Sequence, residues 1–104
     1  MYKICFYVPE SHLETVKEAL FITGAGRISN YDRCSWQCPG EGQFRPLAGS
    51  QPAIGQQGLV EHVAEYKVEL VCSRENIQAA VAALKTSHPY EEPAYDVLEI
   101  SDKF

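Results

Sequence analysis

His88, Tyr90, Glu91, Glu92, Tyr95 and Asp96, side chains able to move protons, accept hydrogen bonds or hold a cation, fall within nine residues of the segment HPYEEPAYDV at 88–97. Paired carboxyls beside an imidazole are the groups that bind a hard divalent cation or divide acid and base work. Adjacent residues in an extended turn point apart, however, so closeness in sequence does not make Glu91 and Glu92 convergent. Pro89 and Pro93 stiffen the turn, and His88 at a helix C-terminus can meet unpaired carbonyls. The segment reads first as a structural or interface turn with Tyr90 and Tyr95 as amphipathic contact surfaces. The alternative is a metal- or small-ligand-binding protein, or an enzyme with its site between subunits near His88 and Glu91, with Glu92 as a further weak metal candidate; no catalytic residue is assigned.

Other candidates are weaker. Cys34 and Cys38 are spaced CxxxC with no second pair, and an extended chain sets their Cα atoms about 13 Å apart, too far to share a metal. They read as an apolar strand stripe with Trp36. His12 lies in a helix N-terminal turn between Glu10 and Glu14 and reads as solvated surface, and His62 is spread from Glu61 and Glu65 by strand geometry. GAGRISNY at 24–31 closes a helix and opens a strand, the reverse of a dinucleotide fingerprint, so Gly24 and Gly26 read as a left-handed helix stop. Arg27, Asn30, Tyr31 and Arg45 remain ligand or interface candidates. No cofactor is expected, with a divalent metal as the open exception.

The elements that position these residues come from a repeat. YKICFYVPESHLETVKEAL at 2–20 aligns without a gap on YKVELVCSRENIQAAVAAL at 66–84, an offset of 64 residues. Each copy is a strand feeding a helix. Ile4, Phe6 and Val8 in the first strand (2–8) correspond to Val68, Leu70 and Cys72 in the second, so one parity faces the helices in both. Leu13, Val16 and Leu20, then Ile77, Ala80, Val81 and Leu84, recur at helical spacing. Ser11 with Glu14 spells a capping box, Ser73 is the expected cap of the second helix, and Gly24 and Pro89 mark the ends. Partner strands are expected within 28–38 and within 94–100, and a long one over 60–72 that protrudes beyond the body. Segment 39–58, with five of the seven glycines and three of the six prolines, reads as a long connector anchored by Phe44, Leu47 and Ile54. The result is one α+β domain over 1–104, a ferredoxin-like βαββαβ sandwich with both helices on one face of an antiparallel sheet. Its other face, carrying Cys5, Tyr7 and Val71, is left for a ligand or a subunit partner.

Composition narrows the class. A chain of 104 residues at 45% hydrophobic content closes one modest core. Fourteen acidic against nine basic residues give a net charge of −5, with Arg27, Arg33, Arg45 and Arg74 scattered singly, so no basic patch suits nucleic acid. Pro9 breaks the N-terminal apolar run, no signal peptide or membrane span is read, and cytoplasm is the expected compartment.

GAGRISNYDRCSW, GEGQFRPLAGSQPAIGQQG and HPYEEPAYDV, in that order over roughly 2–100, resemble the domain inserted in the middle of the Nif-three-like dinuclear-metal proteins, the GTP cyclohydrolase I type 2 homologues. The resemblance implies a CutA-like and PII-like ferredoxin fold used for oligomer formation, as dimer or trimer. It carries structural roles to Gly24, Gly26, Arg27, Asn30 and Tyr31, to Phe44, Arg45, Pro46, Gly49, Gly55 and Gly58, and to His88, Pro89, Tyr90, Glu91, Pro93 and Tyr95. The metal ligands of those proteins lie outside the insert, and this sequence has no HxH motif to receive them. The implied function is a small oligomeric binding or regulatory module without its own catalysis.

Overall fold

The computed structural model describes Met1–Phe104. Four strands, β1 (Tyr2–Val8), β2 (Trp36–Phe44), β3 (Glu61–Cys72) and β4 (Tyr95–Glu99), form one antiparallel sheet in the order β2-β3-β1-β4. Helices α1 (Leu13–Ile22) and α2 (Ile77–Ser87) pack side by side on one face. This is the expected ferredoxin-like βαββαβ topology. The alternation read from the sequence holds: Ile4, Phe6, Val8, Val68, Leu70 and Cys72 are buried against Leu13, Val16, Leu20, Ala80 and Leu84.

The repeat is a local twofold axis. Tyr2 faces Cys72 and Val8 faces Tyr66 across the β1–β3 ladder, while in the sequence repeat Tyr2 is equivalent to Tyr66 and Val8 to Cys72. The axis therefore passes through the Cys5–Glu69 pair, residues equivalent to each other. Two like strand–helix units meeting along their strands bury both apolar faces in one core.

Local signals differ from expectation at both helix starts. Glu10–His12 form a short 3₁₀ turn, closed by the His12 N–H on the Pro9 carbonyl at 3.0 Å, and α1 is entered through His12. Ser11 thus lies inside the turn, without the extended backbone a capping serine needs, and its hydroxyl meets His12 Nδ1 at 2.9 Å instead. At α2 a turn closed by the Asn76 N–H on the Ser73 carbonyl moves the entry to Asn76, again without a side-chain cap. Gly24 ends α1 as expected, at φ +99°.

The largest correction is β2. It was expected within 28–38 and begins only at Trp36, running on through Pro39, Gly40 and Gly42 into what read as connector. Proline is tolerated because β2 is an edge strand, and Gly42 leaves room for the Glu65 carboxylate, which a Cβ there would displace. Cys34 stays outside the strand, so only Trp36 and Cys38 share a strand face, and all four cysteines are free. β3 has the expected excess length: β1 covers only 66–72, and the remainder pairs with β2 alone as a projecting hairpin, giving a body of 47 × 24 × 24 Å.

Candidate functional site

Strand pairing arranges the face opposite the helices in rows. Nearest the Tyr2–Cys72 end lie Val71, Lys3 and Leu98, then Trp36, Glu69, Cys5 and Asp96, then Cys38, Lys67 and Tyr7. Along the hairpin follow Gly40 with Glu65, Gly42 with Val63, and Phe44 with Glu61. The first two rows stay open: Trp36 is 59% and Leu98 53% exposed, with a Lys3–Glu69 ion pair at 3.0 Å between them. Cys5, expected to be bare, is buried, set in register with Glu69 between Lys3 and Tyr7 on its own strand.

The remaining rows are roofed. Pro46 and parts of 50–54 from the connector, with parts of 90–94 from the turn before β4, lie over them and border a half-open cavity of about 620 Å³. Its floor carries Tyr7, Cys38, Phe44, Glu65 and Lys67, and its roof Pro46, Pro52, Ile54 and Tyr90, so most of its surface is apolar. Gly42 leaves open the space that the Glu65 carboxylate occupies on this floor. Glu65 and Lys67 make no ion pair; the Glu65 carboxylate lies beside the Tyr90 hydroxyl, and Lys67 acts on the Glu69 carboxylate without closing on it.

His88 holds the roof to the sheet. It is buried; its Nδ1 accepts the Tyr90 N–H at 3.1 Å, which places the ring proton on Nε2, 2.6 Å from the Tyr7 carbonyl it donates to. Burial pushes the imidazole below its usual value, partly offset by that carbonyl, so the ring is neutral. Tyr90 stacks edge-on against His88, with centroids 4.8 Å apart, and reaches Phe44 at 6.4 Å. Its hydroxyl is buried without a hydrogen-bond partner, and burial together with the Glu65 carboxylate holds the phenol well above the usual tyrosine range.

Within one chain, His88, Glu91 and Glu92 are not gathered as a metal ligand set. Both imidazole nitrogens are engaged, a Glu91 carboxylate oxygen accepts the Gln51 N–H at 2.7 Å, and no three His, Cys, Asp or Glu residues come together as a ligand set. Instead of meeting helix carbonyls, the His88 ring turns to the Tyr7 carbonyl, and only its backbone N–H bonds Leu84. Glu92 lines the cavity mouth. Tyr95 pairs with Phe6 on the helix side, packs against the core and lies under Lys85, whose Nζ is 5.6 Å from the ring centroid. Arg27, Asn30 and Tyr31 occupy an exposed turn anchored by the Gly26 N–H on the Val71 carbonyl, four strand positions or about 13 Å from the His88 anchor. Arg45 is exposed at the end of the hairpin. Within one chain the first and third blocks are therefore not brought together. The residues missed from sequence are Glu65 and Lys67; their shared parity with Tyr7 was readable, but not the roof above them.

No family model matches the chain. It is 43% identical over 103 residues to a GTP cyclohydrolase 1 type 2 homolog of Halalkalibacterium halodurans, which covers 99% of this chain and 28% of that protein. A Bacillus cereus protein related to NIF3 superposes with a TM-score of 0.83 at 36% identity, over 97% of this chain and 26% of the other. CutA from Xylella fastidiosa superposes with a TM-score of 0.71 over 99% of this chain and 86% of its own, and at 21% identity that likeness shows fold alone. The chain spans about a quarter of the length of the curated relatives it matches. By sequence and by fold, then, it is a homologue of one segment of the GTP cyclohydrolase 1 type 2 homologs, the NIF3-related proteins, and that segment has the CutA-like ferredoxin architecture.

Proposed function

We propose that this chain is a self-associating binding or regulatory module of the cytoplasm, without catalysis of its own. The observation that carries the reading is the open half of the sheet face, where Trp36, Val71 and Leu98 surround a single ion pair beside two free strand edges. An exposed apolar patch on a flat sheet is a surface that associates. A second copy related by a twofold would bring Lys3 and Glu69 of one chain against their counterparts with both signs available, whereas a threefold would set this patch against a different surface of the next copy. No nucleophile–base pair competes with this role, and no helix is long and apolar enough to cross a membrane. Partners would be further copies, a protein or a small molecule rather than nucleic acid.

Sedimentation equilibrium tests the reading. The expected result is a dimer or trimer of the 11.6 kDa chain, shifted toward monomer by Trp36→Glu. A monomer at all concentrations, or an oligomer indifferent to a charge at Trp36 and Leu98, overturns it.

A further inference from the structure

We infer that the roofed cavity is a binding site for a small zwitterion with an apolar body, of the chemical class of the apolar α-amino acids. The proposal goes beyond self-association and uses the other half of the same sheet face. Glu65 and Lys67 stand two positions apart on β3, about 6.6 Å between Cα atoms, both projecting to the cavity floor. Opposite charges so placed would be expected to neutralise a neighbour. Yet neither does, although Lys3 and Glu69, facing each other diagonally across the adjacent rows, close to 3.0 Å. A cavity of about 620 Å³ with mostly apolar walls is of the size and character of a small-molecule site. Glu65 and Lys67, opposite charges on its floor without an ion pair, favour a ligand carrying both; of the other carboxylates in the lining, Glu91 is held by the Gln51 N–H, Glu41 is approached by His62 at 3.7 Å, and Glu92 adds to the attraction for an ammonium.

The surrounding groups assign an orientation. An ammonium set at Glu65 also meets the unpartnered Tyr90 hydroxyl, an acceptor with nothing to accept from, and the Phe44 ring, whose face attracts a cation. The carboxylate then falls toward Lys67. The apolar body lies under Pro46, Pro52 and Ile54, whose ordering by the chain leaves little entropy to lose on binding. A ligand of one sign alone would leave the second, half-buried floor group without a partner beside a largely apolar wall.

Titration calorimetry on the intact chain decides it, with L-leucine and L-phenylalanine as probes against N-acetyl-L-phenylalanine, which lacks the ammonium, and L-phenylalaninamide, which lacks the carboxylate. One or both amino acids should bind at millimolar concentration or better, and each blocked compound at least about tenfold more weakly. Glu65→Gln should weaken the amino acid but not the acetylated compound; Lys67→Met should weaken it but not the amide. No binding of either amino acid up to about 10 mM, or equal binding of the blocked compounds to the unaltered chain, overturns the proposal. Because the blocked ligands are tested on the unaltered protein, misfolding of a variant cannot mimic either result. Sedimentation of the same samples keeps loss of the ligand separate from loss of the oligomer.

Discussion

The two turns that follow the two helices are equivalent under the local twofold, and they make the same anchor from different atoms. In the first copy the Gly26 N–H donates to the Val71 carbonyl at 2.7 Å; in the second, Nε2–H of His88 donates at 2.6 Å to the carbonyl of Tyr7, the residue equivalent to Val71. The first turn uses backbone and tolerates no side chain: at Gly26, φ +80°, a Cβ would stand 2.8 Å from the Phe21 ring and 2.9 Å from the Cys34 carbonyl. The second uses an imidazole at the position of Gly24, which releases the position of Gly26 to carry Tyr90. One end of the repeat is therefore a closed backbone turn and the other presents an aromatic wall. The second turn, through Tyr90, contributes a wall of the 620 Å³ cavity, and the first turn contributes none.

Removing each anchor tests that equivalence. His88→Ala leaves the Tyr7 carbonyl and the Tyr90 N–H without partners and empties a buried site, so it should cost about 3 kcal/mol, read as a lower denaturant midpoint at unchanged slope. Gly26→Ala should cost somewhat less, about 2 kcal/mol, from the left-handed backbone and the approach to the Cys34 carbonyl. The comparison breaks if His88→Ala is tolerated like a surface change while Gly26→Ala is severe, for then only the first turn would be an anchor.

Titration sharpens the same contrast, since only the second anchor carries a titratable ring. Its folded pKa lies below the ordinary 6.5, so the unfolded chain binds the proton more readily. The stabilisation is complete above 6.5 and is lost progressively as pH falls from there through the lowered folded value. Melts across that window should lose stability more steeply for the unaltered chain than for His88→Gln, which does not titrate. Equal slopes would mean that the ring takes up its proton as readily in the fold as in the unfolded chain.

Much of this architecture was legible in the sequence because two copies agree. The parity of Ile4, Phe6 and Val8 with Val68, Leu70 and Cys72 needs only alternation, and its repetition placed two helices on one face. β2 was misplaced because Pro39, Gly40 and Gly42 carry the signature of a loop; only an edge position and the Glu65 carboxylate over Gly42 explain them as strand. The helix caps failed because turns begun at Pro9 and Ser73 displaced the helix starts by a few residues. At the site, His88 and Tyr90 stood out by density of chemistry, but their work depends on the Tyr7 carbonyl and the hairpin, far away in the chain. Contacts of that range leave no local pattern to read.

Tyr90→Phe is the smallest change and separates the two ends most finely. It deletes a buried hydroxyl that has no partner while keeping the ring on His88 and Phe44. Leaving such a group unpaired is costly, so its removal should raise stability, by about 0.5–1 kcal/mol, where most substitutions lower it. The Glu65 carboxylate would at the same time lose its phenol neighbour, and an ammonium bound there would lose an acceptor. The same variant should therefore bind L-phenylalanine several-fold more weakly while unfolding at higher denaturant, the opposed signs of a site kept strained for its ligand. A Tyr90→Phe chain that is less stable than the original would show that the hydroxyl already has a partner in the free protein, and the turn would then be an anchor like its Gly26 counterpart and nothing more.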